Sequence, residues 1–190
     1  MTAGAGLMSR VRATPQKFER RSEFALAAAA FVLVLGAGCV VVEPPISHAA
    51  APSPASGYVG GVFSKDTLAG FGFALRNEQT SAEYVLQVED HGVGLIAVPP
   101  GRYHVASWVT WAVTGERLTQ KAIPGDVAFG RAFDVEAGSV TLLGSWSADR
   151  SGRTYMITAH PISEAEAGIE FRRAYPQFTR IPVYCTFCAP

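Results

Sequence analysis

The stretch Phe133-Asp-Val-Glu-Ala-Gly-Ser-Val-Thr-Leu-Leu-Gly-Ser-Trp-Ser147 decides the fold class. Val127, Phe129, Phe133 and Val135 alternate against Asp126 and Asp134, and Val140, Leu142 and Trp146 against Ser139, Thr141, Ser145 and Ser147. Successive side chains of a strand point to opposite faces, so each run has one apolar and one wet face. That is the mark of a half-buried antiparallel strand. Glu136-Ala137-Gly138 joins the two runs and has the chemistry of a turn.

The same period continues on either side. Tyr84, Leu86 and Val88 oppose Glu83, Gln87 and Glu89. Strands are expected over 58–64, 69–76, 83–89, 93–98, 102–112, 127–135, 139–147 and 153–160. Asp90-His91-Gly92 suits a tight hairpin, with Gly92 free to take a positive φ. Pro99-Pro100-Gly101 fits a type II turn, Pro100 fixing φ and Gly101 accepting the positive value that follows. The expectation is an all-β chain: a single antiparallel β-sandwich of about seven or eight strands within residues 58–178.

A short helix closes that domain. In Ile162-Ser163-Glu-Ala-Glu166, Ser163 caps and Glu166 completes a capping box, which predicts a helix over about 163–174. Pro176 biases Tyr175 away from helix. Ile169 and Phe171 are its expected packing contacts, and a helix this short must lean on the sandwich. Residues 179–190 form a tail carrying Cys185-Thr-Phe-Cys188.

Two motifs, Val98-Pro-Pro-Gly-Arg-Tyr-His-Val105 and Phe133-Asp-Val-Glu-Ala-Gly-Ser-Val-Thr-Leu-Leu-Gly144, resemble a pattern of small bacterial envelope lipoproteins. In those proteins a PPG-x-Y turn leads one strand and an F-x-V-x-x-G…LG hairpin follows. They are similar to transthyretin-like, carboxypeptidase-regulatory-like sandwiches, and many are uncharacterised. The likeness spans about 100 of the 190 residues. Its motifs are a turn and a hairpin, so it implies a fold and carries over no functional residue.

The first 38 residues read as a lipoprotein signal peptide. A basic segment ends at Arg20-Arg21, an apolar run follows from Phe24 to Leu35, and Gly36-Ala37-Gly38 leads into Cys39. This resembles the bacterial lipobox, in which the cysteine sulfur takes a diacylglyceryl group before cleavage. The resemblance implies that Cys39 is the lipid attachment and the first mature residue. Gly36 stands where that pattern usually has leucine, with Leu35 one place earlier. Two other readings stay open: an uncleaved anchor helix over the uncharged residues 24–42, and ordinary secretion. Arg20-Arg21 before Phe24 faintly resembles a twin-arginine signal, with the spacing off by one. Just behind Cys39, Val41 included, there is none of the aspartate that retains lipoproteins at the inner membrane of Gram-negative bacteria. The expected place is therefore the cell envelope, lipid-anchored in the outer membrane and facing the periplasm. Residues 39–57 hold four prolines among small residues and read as a disordered linker that lifts the domain off the membrane.

Composition narrows the function. Aromatic residues make up 11% and hydrophobic ones 48%, enough for a packed core. Residues 1–38 hold five basic and two acidic side chains, so the chain from Cys39 on has 11 and 14, a balance near −3. A faintly acidic domain without a basic run lacks the electrostatic footprint of a nucleic-acid binder.

Only the Cys185/Cys188 pair has chemical potential of its own. It reads as a local disulfide in an oxidising compartment, with redox work, partner crosslinking and half of a zinc site as alternatives. No second CxxC or paired-histidine motif supplies the remaining zinc ligands, so no metal or other cofactor is expected. His48, His91, His104 and His160 are not spaced as ligands. Ser145 lacks the turn that presents a nucleophile, and no glycine-rich loop precedes a lysine.

No catalytic residue is assigned, and the chain is not read as an enzyme. Tyr103, Trp108, Trp111, Trp146 and Tyr155 could form a sugar-stacking platform, but Trp108 and Trp111 point to opposite faces of a regular strand, so core packing is favoured. The expected role is non-enzymatic binding or structure, with another envelope protein or a glycan as partner and the membrane held through Cys39. A CxxC redox factor and a small-ligand or glycan-binding module are the alternatives.

Overall fold

The computed structural model describes residues 40–41, 44–65, 70–88, 92–111, 117–151 and 154–189. Residues 1–38, read above as a signal peptide, lie outside the described residues, as do Cys39, Asp90 and His91. Two β-sheets pack face to face, built from β1 (Val40–Val41), β2 (Gly57–Lys65), β3 (Gly70–Asn77), β4 (Glu83–Val88), β5 (Gly92–Val98), β6 (Gly101–Trp111), β7 (Arg117–Ala122), β8 (Phe133–Val135), β9 (Val140–Ser151), β10 (Thr154–His160) and β11 (Val183–Cys185). The first sheet runs β1-β4-β3-β6-β7, with β8 paired to the start of β6; the second runs β10-β9-β2-β5, with β11 paired to the start of β9. Most pairs are antiparallel, while β1–β4, β2–β9 and β9–β11 are parallel. The all-β sandwich with a C-terminal helix is as expected.

The connections differ from expectation. β4 pairs with β3 and β5 with β2, so β4 and β5 lie in different sheets and form no hairpin with each other. The same holds at Glu136-Ala137-Gly138, because β8 pairs with β6 whereas β9 pairs with β2, β10 and β11. Each crossing turns consecutive apolar faces toward one shared core. Pro99-Pro100-Gly101 is a third crossing. Gly101 sits at φ +159°, far from the value of about +80° that a type II turn requires. The Tyr103 hydroxyl ties this corner by donating to the Pro99 carbonyl at 2.7 Å.

Two bulges decide which side chains reach the core. On β6, Leu75 pairs with Val105 and Ala74 with Ser107, so Ala106 is an extra residue. Before it, Tyr103 and Val105 face the core; after it Trp108 does, while Val109 and Trp111 join Val85 on the outer face. On β9 the register slips by one between Leu142 and Ser145. Gly144 lies there at φ +89°, a conformation that costs residues with a Cβ. Val140 and Leu142 therefore face outward to the helix, and Trp146 faces inward. The expected common face for these three is corrected by that bulge.

Between the sheets lie Val59, Phe63, Phe71, Phe73, Leu75, Leu86, Ile96, Tyr103, Val105, Leu143 and Trp146. A second core covers the outer face of the second sheet, where Tyr58, Val93, Leu95, Val140 and Leu142 meet the helix. That helix, α1 (Glu164–Ala174), starts at Ser163 with both halves of the capping box formed. Ala167, Phe171 and Tyr175 recur every four residues and are buried. Ile169, expected to pack, falls between those positions and is 55% exposed.

Residues 44–56 do not stand off as a free spacer. The Ile46 amide donates to the Leu95 carbonyl at 2.8 Å, and the His48 ring stacks on Tyr175 at 4.6 Å. Prolines remove backbone donors, but the segment needs only a few contacts to lie along the second core. The expected tail also joins the fold, since β11 extends the second sheet and the Ala189 amide donates to the Ile162 carbonyl.

Candidate functional site at the open edge

The two sheets do not close on each other equally at both sides. At one side β4 lies against β5, with β1 beyond it at the edge of the first sheet. At the other side β7 and β10 are the terminal strands, and the main core is open between them. A recess of about 350 Å³ enters there, walled by Phe73, Trp108, Ile123, Phe129, Trp146 and Ile157. Its volume and apolar lining are those of ligand sites. Phe129 and Trp146 lie with ring centroids 3.9 Å apart, and Phe73 meets both edge-on. Trp146 Nε1 already donates to the Leu143 carbonyl at 2.7 Å, so its ring is fixed and its remaining surface is apolar.

Local sequence places these walls. The β6 bulge turns Trp108 inward and the β9 bulge does the same for Trp146. After β7, Ile123 is held by its amide bond to the Ala106 carbonyl, and a 3₁₀ turn at Ala128–Gly130 swings Phe129 over the opening. Met156 on β10 is 57% exposed and Val127 43%, both on the lip. Lys121 is the one charged side chain among the lining residues, and among the described residues it has no ion-pair partner.

Other clusters do less. Two polar recesses of about 550 and 600 Å³ lie on the outer face of the first sheet and share His104 and Gly125. Most of their charges already serve one another: Arg76 with Glu83, Arg102 with Glu78 and Asp134, and His104 Nδ1 with Glu78 at 3.5 Å. On β9 and β10, His160 Nε2 lies 2.8 Å from the Ser147 hydroxyl, which donates to Asp149 at 3.1 Å. Residue types match a hydrolytic triad but the order does not. The carboxylate takes the serine proton directly, and nothing holds the imidazole as a base.

Cys185 and Cys188 lie at disulfide distance, sulfur to sulfur 1.99 Å. The pair ends β11, and its sulfurs pack beside the second core. A redox dithiol uses a following helix N-terminus to lower its thiol pKa, and here none follows within the described residues. Between the cysteines, Phe187 packs its ring on Phe129 and Phe133, plugging one end of the main core. No group of three metal-ligating side chains occurs among the described residues. No described helix is long and apolar enough to cross a membrane.

The aromatic platform, set aside on sequence grounds in favour of core packing, does not assemble on an outer face. Tyr103 is wholly buried, Trp111 lies on the outer face at 8% exposure, and the Tyr155 side chain lies outside the described residues. Trp108 and Trp146 do meet, at the mouth of the core. Sequence reasoning missed Lys121, Ile123, Val127 and Met156. The available signal was the strand 154–160, which carries no lysine, arginine, acid or proline on what proves to be an edge.

No family model matches the chain, and no curated protein does. Among solved structures, a leucine-rich repeat protein from Bacteroides thetaiotaomicron is similar over 49% of this chain and 14% of its own length, at 17% identity and a TM-score of 0.33. So slight a likeness carries no argument about fold or function.

Proposed function

We propose that the chain is an exported, lipid-anchored binding domain of the cell envelope, with a role that is not enzymatic. Cys39 carries the lipid, and the open edge between β7 and β10 recognises another envelope component. The observation that supports it is the aromatic-walled recess at that edge, flanked by exposed Met156 and Val127. Large apolar side chains left in water beside an opening into the core mark interaction sites. The leader supplies the export and anchoring half of the reading, and the residues behind Cys39 favour the outer membrane. The motif likeness to transthyretin-like envelope lipoproteins supports the export and anchoring half.

A test has two arms. The intact mass of the protein from its own membranes is expected to match residues 39–190 plus acyl chains; the mass of the uncleaved chain would mean an anchor helix. A photo-crosslinking residue at Met156 is expected to trap a discrete envelope component. The same group at Ile169, equally exposed but on the helix, is expected to trap none. Equal capture at both positions would overturn the assignment of the open edge.

A further inference from the structure

The terminal strand β10 reads Thr-Tyr-Met-Ile-Thr-Ala-His from Thr154 to His160. It pairs with β9 alone among the described residues, and none of them takes up the backbone donors and acceptors of its other edge. Natural sheets blunt such edges with lysine, proline, bulges or a covering loop. β7, the terminal strand of the other sheet, carries Arg117 and Lys121. β10 has neither a formal charge nor a proline, and it pairs with β9 without a register break over seven residues. Its Met156 and Ile157 also line the apolar recess.

The described lining of the recess holds little of what usually orients a free small ligand. Such sites combine apolar walls with several convergent polar groups, and among the described lining residues Lys121 is the only charged or strongly polar side chain. The missing directional contacts lie next door, on the backbone of β10. An extended polypeptide uses both features together: its main chain pairs with the strand edge, and alternate side chains enter pockets.

We propose that the open edge receives an extended segment of a partner protein, which adds as the next strand along β10 with a large apolar side chain in the recess and an acidic side chain against Lys121. This rests on the reading of the open edge as the recognition site and names the class of partner it takes. Charge complementarity fixes the acidic neighbour, because Lys121 stands on the rim without an ion-pair partner among the described residues. A strand docked this way completes the second sheet and covers Met156 in one step.

The test uses the full chain, purified in detergent, and a random twelve-residue peptide library. The expected consensus is an extended sequence with one large apolar residue and an acidic residue close by. In the best peptide, N-methylating every second residue on the paired side is expected to weaken binding at least tenfold. Methylating the intervening residues is expected to change it less than threefold. Lys121→Glu is expected to turn the preference from acidic to basic peptides; the site is exposed, so the variant folds. Backbone amide shifts on binding are expected within 154–160.

Equal sensitivity to both methylation patterns, or no effect of Lys121→Glu, would overturn the proposal. Two further outcomes would also overturn it: palmitate filling the recess while no peptide is selected, and the chain dimerising through β10. A crosslink at Met156 without the methylation pattern would sink strand addition alone and leave the binding site standing.

Discussion

The Tyr175 ring is buried between Phe171 and His48, and its hydroxyl donates to the carbonyl oxygens of Ile46 and Val93. One side chain thus ties the end of α1 to the proline-rich segment and to β5. Burial pushes its pKa from 10.0 up to about 12, because the phenolate loses its water in the second core. Below pH 10 the group is neutral in the folded and unfolded chain, and stability does not depend on it. Above pH 10 the unfolded chain releases the proton while the folded one keeps it, so the unfolded state binds fewer protons and stability falls as pH rises toward 12. Tyr103, also raised mainly by burial, adds to the same trend. Denaturant midpoints at pH 9 and pH 11 check this. Tyr175→Phe is expected to be about 1 kcal/mol less stable at pH 9, from the lost hydroxyl bonds, yet to lose less than the natural chain between the two pH values. Equal losses would mean that the hydroxyl is not held neutral by the fold.

At the scale of elements, local chemistry was legible and partnership was not. The helix was readable to within a residue because Ser163 and Glu166 satisfy each other's backbone groups without help from elsewhere. Period two exposed most strands because burial of one face is imposed strand by strand. Nothing local distinguishes a hairpin turn from a crossing of equal length: Glu136-Ala137-Gly138 is a turn, with Gly138 at φ +68°, yet it joins strands of different sheets. The two bulges show the gradation: Gly144 is a glycine inside a strand, a known mark of a bulge, whereas Ala106 gives no signal. β7 was missed because its polar sequence lacks an apolar face, and β11 because three residues beside a CxxC look like a tail. The recess depends on both bulges and on strand order, which is why its rim residues were invisible.

The Cys185/Cys188 pair belongs to this scale too, as a clasp that holds Phe187 in the end of the core. Cys185→Ser with Cys188→Ser is expected to cost about 2 kcal/mol, the loop-closure value for so short a ring, seen as a lowered melting temperature. Capture from Met156 is expected to persist. Unchanged stability with lost capture would make the pair a redox device instead.

For the whole molecule, the proposed lipid anchor and the open edge are expected at opposite sides. Cys39 is joined to Val40, whose Cα must lie about 3.8 Å away. Val40 pairs with Glu83 at the start of β4. A lipid on Cys39, as proposed, is therefore expected beside the β3–β4 turn, where Thr80 is exposed. β1 and β7 are separated by four strand spacings of about 4.8 Å, or about 19 Å across the sheet. With residues 44–56 laid along the domain, an anchor at Cys39 is expected to hold the sandwich close to the bilayer and to present the recess away from it.

Nitroxide labels at Thr80→Cys and Met156→Cys, in the lipidated protein on vesicles, test this arrangement directly through collisions with a lipid-soluble and a water-soluble relaxant. The account predicts that the label at 80 meets the lipid-soluble agent and the label at 156 only the water-soluble one. A label at 156 that lies as deep as the one at 80, or deeper, would contradict it.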